Sequence, residues 1–194
     1  MAYKRNSLRA LVLREKTVGT VKKPNKAILF AGLLYNIDVK PKTIYSILED
    51  EFGRICLESQ TFPFIETNYY KSEMGENLRR VYIAFDTLLD MEQIVDIKLK
   101  TNKIEDRVFT GSGKRKVNID PGYLTSAKVV LATTKNFQHR IYLNRGIYAE
   151  VTLRYMKNGF SPWKWTFKDY KRKEAVEFFN KLRILYRQML KSHS

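Results

Sequence analysis

His139-Arg140-Ile141-Tyr142-Leu143-Asn144-Arg145-Gly146-Ile147-Tyr148-Ala149-Glu150-Val151-Thr152-Leu153-Arg154-Tyr155 is the stretch whose register can be argued from the residues themselves. Ile147, Ala149, Val151, Leu153 and Tyr155 alternate with Tyr148, Glu150, Thr152 and Arg154. That period of two gives a strand one apolar and one polar face. Upstream, Ile141 and Leu143 alternate with Arg140 and Tyr142 in the same way. A three-residue loop, Asn144–Gly146, with Gly146 in the left-handed conformation, sets Leu143 opposite Ile147 and makes the two apolar faces coincide. The same register puts Arg140 across from Glu150, Tyr142 across from Tyr148, and His139 on the apolar side opposite Val151. The expected result is an outward ion pair flanked by two phenols. As surface decoration such a pair is worth roughly 0.2–1 kcal/mol. As a site it offers a guanidinium to a phosphate or carboxylate.

Working outward, Ala27–Tyr35 reads as a buried strand and Pro41 opens a helix carrying Ile44, Ile47 and Leu48, ended by Gly53. A strand is predicted over 54–64. In the next one, Val81, Ile83 and Phe85 face one way and Arg80, Tyr82 and Asp86 the other. Asp90 caps a helix over 91–106. Gly111–Lys116 reads as a basic turn, and Asp120-Pro121-Gly122 has the residues of a type II turn. Lys128–Thr134 is β-branched and apolar, and a regular stripe from Ala175 to Met189 marks a closing helix over 172–191. The fold expected is α+β: a single domain over residues 24–194, a largely antiparallel sheet, helices packed mainly on one face, and a long C-terminal helix.

The formal charge of +16 is concentrated at the ends. Residues 1–26 hold eight Lys/Arg against one Glu, and 164–194 hold nine against three Asp/Glu. Residues 1–23 are therefore expected to form a basic arm, and a nucleotide or RNA is the expected partner. A single cysteine, Cys56, and no apolar run long enough for a bilayer point to a cytoplasmic protein without a membrane partner.

Gly111-Ser112-Gly113-Lys114-Arg115 fails as a phosphate-binding loop: Val108 and Arg115 stand where glycine and Ser/Thr are required. Two histidines and one cysteine cannot make a zinc-type cluster, so no metal site is assigned. A divalent cation held by Glu73, Asp120, Glu150 or Asp169 is chemically open, but their spacing does not indicate it. General acid–base work falls to His139 with Glu150 or Asp120. Tyr69-Tyr70-Lys71 and the Trp163/Trp165 region interleave rings with cations, as in single-strand binding, although at least one of the two tryptophans is expected in the core.

Tyr69–Gly75, Val117–Leu124, Leu131–Lys135, His139–Leu143, Gly146–Leu153 and Trp165–Tyr170 together resemble the prokaryotic domain of unknown function 4416 family, from about Lys26 to Lys191. Its members sometimes carry the label GTP-binding protein, which the failed loop test does not support here. The resemblance implies shared polar positions at Glu73, Asn118, Asp120, Lys135, His139, Arg140, Glu150 and Asp169. The leading expectation is a protein that binds a phosphate-bearing ligand through Arg140, Lys135, Tyr142, Tyr148, Glu73, Asn118 and Asp169. The alternatives are an enzyme on a phosphorylated small molecule using Glu150, Asp120 or His139, and an adaptor that docks through its basic ends.

Overall fold

The computed structural model describes residues 19–67, 69–111 and 114–192. Most of the predicted basic arm (1–18) and the centre of the basic turn (112–113) lie outside the described residues. The chain runs β1 (Ala27–Asn36), α1 (Pro41–Phe52), β2 (Ile55–Glu58), β3 (Phe62–Pro63), α2 (Lys71–Met74), β4 (Leu78–Leu89), α3 (Ile94–Val108), β5 (Thr110–Gly111), β6 (Lys114–Arg115), β7 (Val117–Leu124), β8 (Lys128–Thr133), β9 (Ile141–Asn144), β10 (Ile147–Met156), β11 (Gly159–Pro162) and α4 (Lys173–Ser192). One antiparallel sheet has the order β11-β10-β8-β7-β1-β4-β2, with β3 added to β4 and β9 to β10. The fold is α+β, as the strand and helix patterns predict.

The alternation in β1 and β4 decides which layer each side chain joins. Leu29, Ala31 and Leu33 with Val81, Ile83 and Phe85 pack under Ile44 and Leu48 of α1 and Ile94, Val95 and Ile104 of α3. Ile28 and Phe30 with Tyr82 and Ala84 face the other way, under Ala175, Phe178, Phe179, Leu182 and Tyr186 of α4. Two helices thus cover one face, and the C-terminal helix covers the opposite one.

Four expectations change. First, Asp120-Pro121-Gly122 is no turn: these residues lie inside β7, paired with Gly32, Ala31 and Phe30 of β1. Gly122 is required there, because a Cβ would stand 2.4 Å from both Phe30 Cζ and the Val130 carbonyl oxygen. Second, the 54–64 strand is two short pieces, β2 and β3. Third, the hairpin closes on Asn144 opposite Ile147, through Arg145 (φ 47°) and Gly146 (φ 79°), so its loop has two residues. A bulge at Leu143 then restores the predicted pairing of Tyr142 with Tyr148 and Ile141 with Ala149. Fourth, the ion pair faces inward. The Glu150 side chain is 0% exposed because the segment after β11 lies over β10, where Thr166 Oγ1 donates to the Thr152 carbonyl at 2.6 Å and Trp165 Nε1 to that of Val151 at 3.3 Å. It is β9 that stays exposed, Ile141 and Leu143 included.

Pro121 also shapes the sheet. The side chains of α3 serve Ile119 from the β8 side, and a period of two places the Pro121 nitrogen on that same side. Proline has no hydrogen to give the next strand. The β7–β8 ladder accordingly runs only over Gly122–Leu124 against Val129–Leu131, and the strands part beyond it.

Candidate functional site

The parting of β7 and β8 opens into a cleft of about 990 Å³. The β3–β4 connection forms one wall with Phe64, Tyr69, Tyr70 and Glu73; the segment after β8 supplies Lys135 and Arg140; the turn before α4 supplies Trp165, Phe167, Lys168 and Asp169. Two residues of α3 reach the gap from the far side of the sheet. Lys98 Nζ donates to the Ile119 carbonyl at 3.0 Å, and the Ile119 N–H donates to Glu105 Oε1 at 2.8 Å. These side chains take the place of the missing strand, so the backbone groups of Ile119 are satisfied without a ladder.

The floor is a buried charge network. Arg80, from β4, donates through Nη2 to Asp169 at 2.8 Å, and its Nη1 lies 3.7 Å from Asp120. Asp120 also faces Lys98 Nζ at 3.5 Å and accepts from Asn118 Nδ2 at 2.7 Å. Tyr82 donates to Asp169 at 3.2 Å. Arg115 bonds Glu105, Asn118 (3.0 Å) and Glu73 (3.0 Å), tying α2 and α3 together. Burial alone would lower the Arg80 guanidinium, but Asp169, Tyr82 and Asp120 together hold it above its ordinary value. Burial pushes the Tyr170 and Tyr82 phenols well up, so both stay protonated donors. It also raises the Glu105 carboxyl, against the pull of Lys98, the Ile119 N–H and Arg115. Arg80 Nε and Nη1 and the Tyr170 hydroxyl are buried and have no hydrogen-bond partner among the described residues. Such donors cost about 1–3 kcal/mol each unless something accepts from them.

The rim pairs rings with cations. Lys135 Nζ donates to the Tyr69 hydroxyl at 2.8 Å and stands 4.3 Å from the centre of its ring. Trp165 stacks on Trp163 at 5.0 Å and on His139 at 5.4 Å. Neither tryptophan is buried, contrary to the expectation of at least one in the core.

Of the ten residues singled out from the sequence, Arg140, Lys135, Glu73, Asn118, Asp120 and Asp169 line this cleft. The other four stand apart from its lining. Glu150 lies behind Arg140, accepting from its Nε at 2.8 Å, and shares the same oxygen with His139 Nε2 at 3.1 Å. Tyr142 and Tyr148 pair with each other at 5.3 Å. Sequence reading missed Arg80, Lys98, Glu105, Arg115 and Tyr170. One signal was present: Ile94, Lys98, Thr101 and Glu105 fall at the helical spacing of a buried stripe, where charged residues demand partners. Among the described residues, no group of three or more His, Cys, Asp or Glu side chains is arranged to hold a metal ion, and no helix is long and apolar enough to cross a membrane.

Neither a curated protein nor a solved structure matches the chain. The model of one family, described as a domain of unknown function (DUF4416), matches residues 25–186. That span takes in every strand of the sheet and every residue that lines the cleft, and the protein belongs to the DUF4416 family.

Proposed function

We propose that the cleft between β7 and β8 binds a phosphate-bearing small molecule of nucleotide size. The observation that carries this reading is the pairing of an unsatisfied floor with a cationic, aromatic rim. Arg80 and Tyr170 offer buried donors with no acceptor among the described residues, while Lys135 and the exposed Lys168 stand among Tyr69, Trp165 and Phe167. Rings can stack on a base, and the two lysines can meet a phosphate without breaking a buried ion pair. A volume of about 990 Å³ suits one nucleotide and not a strand, which favours the mononucleotide over RNA. Binding is favoured over catalysis because only Asp120, of the three acid–base candidates, lines the cleft. Nothing in this reading requires a divalent cation.

Trp165 sits on the rim and is a built-in fluorophore for the test. Titration of the full chain with nucleoside mono-, di- and triphosphates at low salt is expected to change its emission saturably. Lys135→Ala and Lys168→Ala should each weaken binding about tenfold with little change in melting temperature, since both side chains are exposed. Failure of every nucleotide and of inorganic pyrophosphate to bind, by fluorescence and by calorimetry, would overturn the proposal.

A further inference from the structure

We propose that the cleft floor recognises a vicinal diol, the ribose edge of a nucleotide, and that the phosphate lies at the rim. The inference rests on the phosphate-ligand reading above and adds what the deep end of the ligand must be. The floor charges already balance: Arg80 and Lys98 face Asp120 and Asp169, with separations between 2.8 and 3.7 Å. A phosphate placed there would meet two carboxylates at close range with no free cation among the described floor residues to match it. A neutral group leaves that balance undisturbed.

What the floor has in surplus is hydrogen-bonding capacity of both kinds. Arg80 Nε and Nη1 and the Tyr170 hydroxyl are donors without acceptors among the described residues. Asp120 accepts one good bond, from Asn118, while Lys98 and Arg80 stay at 3.5 and 3.7 Å, too far for a second. Roughly four lone-pair positions are available on a carboxylate, so Asp120 can accept more. Adjacent sugar hydroxyls supply the complement: one donates to Asp120 while its neighbour accepts from Arg80 or Tyr170. Gly32 beneath them has no side chain to intrude; a Cβ there would stand 3.0 Å from the Tyr170 oxygen and 3.3 Å from Arg80 Nη1. On a ribose the diol edge lies between base and phosphate. Turned to the floor, it leaves the base to Tyr69 and Phe167 and the phosphate to Lys135 and Lys168.

The test is calorimetric titration of the full chain with ADP and GDP, their 2′-deoxy and 2′,3′-dideoxy forms, ribose 5-phosphate and inorganic pyrophosphate. At least one ribonucleotide should bind, with its dideoxy form weaker by at least about tenfold. Asp120→Asn should bring the ribonucleotide down to the dideoxy affinity and remove the discrimination. Should that variant fail to fold, the analogue series on the unaltered protein decides alone. Ribose and dideoxy forms that bind within twofold of each other overturn the diol and leave the phosphate reading standing. Pyrophosphate bound without any nucleotide or sugar phosphate has the same meaning. No binding by any probe overturns both readings.

Discussion

Glu150 accepts from both Arg140 and His139 while having no exposed side-chain surface. A buried carboxylate stripped of its guanidinium is an uncompensated charge, so Arg140→Ala should cost roughly 3–5 kcal/mol in chemical denaturation. A loss under about 1 kcal/mol would mean that water reaches Glu150 and the pair is surface-like. Gly122 gives a second residue-scale prediction. Its missing Cβ makes room for the Phe30 ring and the Val130 carbonyl, the latter being backbone that cannot swing aside. Gly122→Ala should therefore destabilise by at least about 1–3 kcal/mol, and an unchanged midpoint would contradict the close approach. The Arg140–Glu150 partnership was legible in the alternation of β10, because a pairing register is local. Its burial was not legible, since it depends on Trp165 and Thr166 folding back over β10 from beyond the next strand.

Elements near the cleft differ in how they are held. The β3–β4 connection is latched by side chains: Tyr69 by Lys135, Glu73 by Arg115, and Glu66 by Arg172 at 3.3 Å. Arg172 also bonds Glu174 in the first turn of α4 at 3.0 Å, and this bond holds the Glu174 carboxyl below its ordinary 4.5. A lowered folded-state pKa means that this stability is present above about pH 4.5 and lost as pH falls through the lower folded value. Glu174→Gln should thus cost about 0.2–1 kcal/mol near neutrality and nothing in strong acid, as paired denaturation curves across pH would read. A variant deficit that grows toward acid would refute the assignment. Helices were the most legible elements, because Pro41, Gly53 and Asp90 punctuate them and apolar stripes run between. Strand β7 was misread because Pro121-Gly122 spells a turn locally. The unpaired side of β7 that accommodates the proline is a property of distant strands.

Over the whole molecule the charge of +16 acts at longer range than any bond. Deleting residues 1–22 removes six Lys/Arg and one Glu. If the basic end attracts RNA, that deletion should flatten the salt dependence of RNA binding and leave nucleotide affinity in the cleft unchanged. An identical salt slope in the two proteins would dissociate the N-terminal charge from RNA. Antiparallel topology and the closing helix were readable from periodicity alone. The cleft was not, because it arises where a regular pattern stops. That interruption also sets the mechanics of the molecule. The backbone rungs between β2-β4-β1-β7 and β8-β10-β11 are those of Gly122–Leu124 with Val129–Leu131, and beyond them Lys98 and Glu105 serve Ile119 of β7 in place of a neighbouring strand. The two parts of the sheet are consequently held together less by their ladder than by what lies on it: the apolar layer under α4, which joins Ile28, Phe30 and Tyr82 to Leu131, Leu153 and Phe160, and the Arg80–Asp169 bond. The amide of Ile119 leans on the Glu105 carboxylate and not on a neighbouring strand, so its resonance and exchange rate should report the loosening of that side-chain seam and not the fraying of a ladder.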